Sequence, residues 1–423
     1  MNTKNLFCFF TGIALLASTT LISSCDKEHD GDFTDLSIRK SGDESTFDAI
    51  GDDGTGKGTG NGNSQAGVVT AGEWSDLVHW PFWSKLMLGD NFTDKSEYWQ
   101  FYTNNRVAVF VTDASGKPLA GIKVKLQRQG GHSVLTDIWE TVTDNKGEAS
   151  CWIGLNQKET ATATSLRVNI DGLLMEAPPV ICPWDSLQVS ESAKATIDEK
   201  YVNRYAIVSS KSLKSQADIA FIVDATGSMS DEIDFLKSDL EDIISKTASV
   251  RPGMAIRTAA LFYRDKGDEY VTRHSNFTEN LEKTRDFVSE QRASGGGDYP
   301  EAVHTALERM LQDLSWDNDA RTRLAFLILD APAHHETDII HSLQQSITQC
   351  ARKGIRLIPV AASGVDKNTE FMLRFFAITT GGTYVFLTND SGVGNNHIEA
   401  SVGPYEVEQL NNLIVRLINY YTE

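Results

Sequence analysis

From residue 217 to the end of the chain, short apolar runs alternate with helix-length amphipathic segments. Ala217-Asp-Ile-Ala-Phe-Ile-Val223 is apolar except for one Asp, and runs of similar texture lie at 253–263, 269–277, 323–329, 355–361 and 382–387. Between them, apolar residues recur at helical spacing over 231–246, 279–291, 300–314, 336–353, 367–378 and 405–421. A strand that is apolar on both faces must be covered on both sides, and a layer of helices on each face of a parallel sheet does this. The rhythm therefore predicts a doubly wound α/β domain over 215–423. Sites in such sheets lie beyond the carboxyl ends of the strands, so the loops after 223, 264 and 329 should converge.

Those loops read Asp224-Ala-Thr226-Gly-Ser228, Tyr263-Arg-Asp265-Lys and Asp330-Ala-Pro, and a fourth reads Gly295-Gly-Gly-Asp298-Tyr-Pro300-Glu301. Carboxylates and hydroxyls are hard oxygen ligands, suited to Mg²⁺ and also to Mn²⁺ or Ca²⁺. A coordination position left open at such an ion accepts an acidic group from a partner.

At this point the loops resemble those of a von Willebrand factor A domain carrying a metal-ion-dependent adhesion site. The family's Asp-x-Ser-x-Ser is matched by Asp224-Ala-Thr226-Gly-Ser228, in which Thr keeps the hydroxyl, and its closing Asp by Asp330. Gly-Gly-Gly-Asp298-Tyr-Pro300-Glu301 resembles the corresponding loop of hemicentin-type A domains and of the integrin β-type, whose Asn is Gly296 here. The resemblance implies Asp224, Thr226, Ser228, Glu301 and Asp330 as metal ligands. It also implies a neighbouring cation site bordered by Asp265, Asp298 and the Pro300 carbonyl. Asp231 and Glu232 match two integrin acids of a further cation site; an acidic first turn of a helix explains them equally well.

Residues 68–205 have a different texture. Arg106–Thr112 and 121–127 alternate apolar and polar residues, and the turns Asp113-Ala-Ser-Gly116 and Asp144-Asn-Lys-Gly147 punctuate the pattern. This predicts an all-β sandwich of about seven short strands. The strings Val-Thr-Asp-Ala-Ser-Gly-Lys-Pro and Thr-Asp-Asn-Lys-Gly-Glu-Ala resemble carboxypeptidase-regulatory-like domains, which implies a non-catalytic spacer. Trp74, Trp80, Trp83 and Trp99 crowd into 26 residues: exposed, they would stack on sugar rings and bind glycans, and buried, they would plug the end of the sandwich. Cys151 and Cys182 are candidates for a disulfide in an oxidising compartment.

Residues 1–24 have a basic Lys4, an apolar stretch and then Ile22-Ser-Ser-Cys25. This resembles a bacterial lipoprotein signal, with Cys25 as the lipidated first residue of the mature chain. Residues 25–67 follow as an acidic, Gly-rich tether, with ten acids and three bases over 26–53. The expected location is the cell envelope, lipid-anchored at the outer membrane, with exposure on the cell surface as a further option. The net charge of −19 (39 Lys+Arg against 58 Asp+Glu) argues against nucleic acid as a partner.

No catalytic motif emerges. His334-His335-Glu336 lacks the His-Glu-x-x-His spacing of zinc hydrolases, and Cys350 sits on a predicted helix as a small hydrophobe. The sequence thus points to a non-enzymatic, membrane-anchored module that binds an acidic protein ligand through a divalent metal. The alternatives are a metal-independent assembly module and glycan binding by the Trp-rich segment.

Overall fold

The computed structural model describes residues 65–423 apart from 90–91, 132–133, 160–161, 183–196 and 396. The expected signal segment, Cys25 and nearly all of the expected tether lie outside the described residues. Every described residue belongs to one compact unit.

In chain order the elements are β1 (Thr70–Trp74), α1 (Trp80–Leu88), α2 (Thr93–Trp99), β2 (Arg106–Thr112), β3 (Lys123–Gln129), β4 (Leu135–Val142), β5 (Glu148–Trp152), β6 (Leu166–Ile170), β7 (Leu173–Met175) and β8 (Val202–Ala206). There follow β9 (Lys214–Asp224), α3 (Ile233–Val250), β10 (Ala255–Tyr263), β11 (Thr272–Thr278), α4 (Leu281–Ser289), α5 (Val303–Asp313), β12 (Ala320–Leu329), α6 (Thr337–Lys353), β13 (Ile355–Ala361), α7 (Lys367–Thr380), β14 (Tyr384–Leu387), β15 (Glu408–Gln409) and α8 (Leu410–Thr422).

The C-terminal half is built on an eight-stranded sheet of order β11-β10-β9-β12-β13-β14-β1-β15. Strands β10, β9, β12, β13 and β14 run parallel, with β9 between β10 and β12. The period of two sorts their side chains into two cores. Ile219, Phe221 and Val223 of β9 join Leu236, Leu240 and Ile244 of α3 and Leu413, Ile414 and Leu417 of α8. Ala220 and Ile222 join Leu307 of α5, Leu343 and Ile347 of α6 and Phe375 of α7. The one polar residue in the run, Asp218, is fully buried and satisfied: Arg257 binds it through Nε (2.8 Å) and Nη2 (2.5 Å), and Asp317 N–H donates to it at 2.8 Å. Such pairing is what keeps a carboxylate tolerable inside a sheet. Gly382 lets α7 turn into β14, since a Cβ there would stand 1.8 Å from the Leu357 carbonyl oxygen.

Strand pairing departs from the sequence reading, and burial decides between its two alternatives for the tryptophans. Strand β1, within the segment assigned to the β-rich region, pairs antiparallel with β14 (Gly72 opposite Phe386) and extends the large sheet. Its partner lies far along the chain, and local periodicity carries no trace of such a pairing. The Trp cluster, in turn, is not an exposed aromatic platform. Trp74, Trp80, Trp83 and Trp99 are all at most 5% exposed, three of them on the short helices α1 and α2. Trp80 packs on Trp152 of β5, Trp83 on Phe371 of α7, and Phe101 stacks on Phe375 at 4.1 Å. The segment is a wedge joining the β-rich strands to α7, so of the two readings of the cluster the buried one holds, and none of these four rings offers a face to a sugar.

The intervening strands form a three-stranded sheet, β5-β2-β8, and a four-stranded sheet, β4-β3-β6-β7. Val107, Val109, Val124, Leu126, Val168 and Ile170 of these sheets share one core with the wedge and α7. Cys151 and Cys182 are free. Ile153 N–H bonds the Asn105 carbonyl on one edge of β2, whereas Cys182 N–H bonds the Arg106 carbonyl, which faces the opposite edge. Strand β2 therefore separates the two cysteines by about two strand spacings, roughly 9.5 Å, beyond the ~7 Å limit for a disulfide. Burial pushes the thiols of Cys151, Cys182 and Cys350 up from their ordinary range. A thiol-reactive dye should leave all three unmodified in the native protein and modify them on unfolding; rapid native labelling would contradict their burial.

Candidate metal centre

Asp224 is the last residue of β9, and its backbone setting turns the chain sharply. Ala225 N–H donates to the Tyr263 carbonyl at 2.8 Å, and the Ala225 carbonyl accepts from Ser294 N–H at 3.0 Å and from Arg264 Nε at 3.1 Å. Asp224 Oδ1 accepts from the Thr226 amide (2.9 Å) and hydroxyl (2.7 Å), and the Thr226 and Ser228 hydroxyls lie 3.1 Å apart. One carboxylate and two hydroxyls are thus strung along a single turn.

The glycine-rich loop closes over this turn. Gly227 N–H donates to the Gly295 carbonyl at 2.9 Å. Gly296 has φ +71°, and a Cβ there would stand 2.8 Å from Glu301 Oε1 and 3.2 Å from Thr226 Cβ. A side chain at this left-handed position would press on Glu301 and Thr226, so the site favours glycine. Glu301 N–H donates to the Pro332 carbonyl at 2.8 Å, tying the loop to the segment that follows Asp330. By these links Asp224, Thr226, Ser228, Glu301 and Asp330 gather at the carboxyl edge of the sheet.

The electrostatics are unfavourable for bare carboxylates. Asp224, Glu301 and Asp330 are 0%, 2% and 5% exposed, and each has an oxygen (Oδ2, Oε2 and Oδ1) with no hydrogen-bond partner among the described residues. Burial, followed by repulsion among the acids, pushes Asp224 up to about 6, Asp330 to about 7 and Glu301 to about 9. Three buried carboxyls with unpartnered oxygens beside two hydroxyls form a donor set that fits a hard divalent cation.

The neighbouring residues divide. Asp265 and Asp298 do come together, and His334 joins them. Pro300 lies on the same loop between Asp298 and Glu301. His334 escapes the sequence reading because its His-His-Glu context draws attention to a zinc-hydrolase spacing; its position four residues past Asp330 is the one clue. His335 turns elsewhere, stacking on Tyr98 at 3.5 Å. Asp231 and Glu232 are engaged by protein groups instead. Asp231 Oδ2 accepts from Asn395 Nδ2 at 2.7 Å. Glu232, fully buried, accepts from Ser363 N–H at 3.1 Å and lies 3.3 Å from His397 Nε2. These two acids fasten the start of α3 to the loops after β13 and β14.

The site thus consists of an Asp-x-Thr-x-Ser turn at the carboxyl end of β9, between β10 and β12, in a sheet covered by helices on both faces. Residues 218–369 match the model of the von Willebrand factor A domain family. Among relatives, an ariadne-like RING finger protein of Acanthamoeba polyphaga mimivirus is 32% identical over 121 residues, covering 29% of this chain and 12% of that protein. The alpha-protein kinase vwkA of Dictyostelium discoideum is 28% identical over 192 residues, 44% of this chain and 29% of that one. The chain thus matches less than a third of the length of either relative. Among solved structures, BatB from Bacteroides thetaiotaomicron aligns with a TM-score of 0.34 at 12% identity, covering 48% of this chain and 98% of that one.

Proposed function

We propose that this protein is an envelope lipoprotein whose A domain captures a protein partner through a divalent cation held by Asp224, Thr226, Ser228, Glu301 and Asp330. The observation that carries the reading is the set of three buried carboxyls with partnerless oxygens at one sheet edge. Bound there, Mg²⁺ supplies an open coordination position for a carboxylate of the partner. Asp224 Oδ1 holds the Thr226 hydroxyl in place, and the Gly227 and Gly296 contacts hold Glu301 against the same turn. Ser228 is exposed and marks the side on which a partner arrives. The lipid on Cys25, the acidic tether and a carboxypeptidase-regulatory-like sandwich formed by the two smaller sheets present the domain away from the membrane. No helix among the described residues is long and apolar enough to cross a membrane. The role is binding without turnover.

Thermal melting with and without Mg²⁺ tests the site. A ligand at about 100 times its Kd adds about 2.7 kcal/mol, or roughly 5–10 °C for a domain of 150–250 residues. The sign of the pH dependence follows from acids that are raised in the folded state. Without metal, their contribution is fully present below the ordinary carboxylate range and is lost as pH climbs through about 6, 7 and 9. The cation competes with those protons, so its stabilising increment should grow between about pH 5.5 and 8.5. A melting temperature indifferent to Mg²⁺ at about pH 8 would overturn the reading. Capture of a partner from envelope extract that survives chelation would instead favour a metal-independent assembly role.

A further inference from the structure

Beside the central group, two of the same loops and the one after β10 bring two carboxylate oxygens and one imidazole nitrogen, from Asp265, Asp298 and His334, to within 4.8 Å of one another. Asp265 follows β10, Asp298 lies on the glycine-rich loop before α5, and His334 follows β12. His334 Nε2 and Asp265 Oδ1 are 2.9 Å apart. Ligands held about 2.1 Å from one ion stand about 3.0 Å apart at right angles and about 3.4 Å apart at the tetrahedral angle, so this pair needs a shift of about half an ångström or less to share one.

The surroundings hold the ligands in place and add donors. Asp268 Oδ2 accepts from Asp265 N–H at 3.1 Å and from Gly296 N–H at 2.9 Å, linking two of the three loops. His304, on the first turn of α5, bonds the Thr305 hydroxyl through Nε2, leaving Nδ1 buried and partnerless, within electrostatic reach of His334 and Asp265.

We propose that Asp265, Asp298 and His334 form a second metal site, selective for a borderline transition-metal ion of the Zn²⁺ class over Mg²⁺ or Ca²⁺. The resemblance to adhesion domains leads one to expect an all-oxygen cation site here, and His334 changes the class of ion. Imidazole nitrogen suits Zn²⁺, Ni²⁺ and Fe²⁺, whereas Mg²⁺ and Ca²⁺ take oxygen. The three residues are distinct from the five proposed central ligands; Glu301 lies between the two groups and is counted with the central one only, so the inference does not require Mg²⁺ to be bound there.

The test is calorimetric titration of Zn²⁺ into the full chain in excess Mg²⁺, with Co²⁺ absorption as a second readout of nitrogen ligation. The expected result is one Zn²⁺ site that persists in Asp224→Ala and is unchanged in His335→Ala. His334→Ala and Asp298→Asn should weaken it by more than the roughly 10–100-fold that an outer-shell change costs, with the Mg²⁺-dependent rise in melting temperature retained. Asp298 is exposed, so its substitution leaves the fold intact. The proposal fails if no Zn²⁺ binds in excess Mg²⁺, if both variants bind Zn²⁺ like the wild type, or if Asp224→Ala alone abolishes Zn²⁺ binding. Failure of the central-site reading would show separately, as Mg²⁺ binding that survives Asp224→Ala.

Discussion

Asp224→Ala is expected to lower Mg²⁺ affinity by about 100-fold or more, a loss of roughly 2.7 kcal/mol, and to abolish metal-dependent partner capture. The size of the effect follows from the position of the residue. Asp224 is fully buried at the end of β9, between β10 and β12, and its Oδ1 organises the Thr226 amide and hydroxyl while Oδ2 has no partner among the described residues. Removing it takes away a charged ligand and the acceptor that orients a second one. The metal-free protein should respond in the opposite direction. After burial, the Asp224 charge is the largest influence raising both Asp330 and Glu301, so its removal relieves repulsion in a buried cluster. Metal-free melting at about pH 8 should therefore hold or rise in Asp224→Ala while Mg²⁺ stabilisation disappears. Calorimetry returning wild-type Mg²⁺ affinity for this variant would sink the proposed function.

Arg374→Met should produce the largest loss of stability, about 3–5 kcal/mol. Arg374, on α7, is fully buried between Asp76 (2.9 and 2.6 Å) and Glu370 (3.3 Å), donates to the Ser401 carbonyl at 2.6 Å, and lies 5.0 Å from the centre of the Trp83 ring. It joins the stretch between β1 and α1 to the helix beside the sheet. Methionine preserves much of the volume but strands Asp76 without its cation, and an uncompensated buried charge is costly. Glu370 keeps Lys367 at 2.8 Å and the Ser401 amide at 2.6 Å, so the larger share of the loss falls on Asp76. The double variant Arg374→Met, Asp76→Leu should recover part of the deficit in denaturant unfolding. A single-variant loss below about 1 kcal/mol would show that the pair carries little.

The two substitutions differ in how legible they are in the sequence. Asp224, Thr226, Ser228 and Asp330 stand directly after apolar runs, where a parallel sheet places its ligand-bearing loops, so the strand rhythm itself marks them. Glu301 needs the resemblance of its loop as well, because it sits before a helix and not at a strand end. Arg374 and Asp76 carry no mark at all. Nothing in a helical pattern says that an arginine points inward, and its partner comes from a distant segment. The same reason hides β1, whose antiparallel partner β14 lies at the far end of the chain. His334 is hidden by its neighbours, since adjacent residues after a strand diverge: His334 reaches Asp265 while His335 stacks on Tyr98.

By itself the sequence determined the layer architecture of 215–423 and the oxygen donors at its upper edge. Both follow from periodicity and from the rule that parallel strands end in loops on one side. Tertiary structure alone decided the fate of the tryptophans, the separation of Cys151 from Cys182 by β2, the engagement of Asp231 and Glu232 by neighbouring loops, and the presence of an imidazole among the carboxylates. These depend on which distant surfaces meet, and burial and pairing across long sequence separation have no local signature.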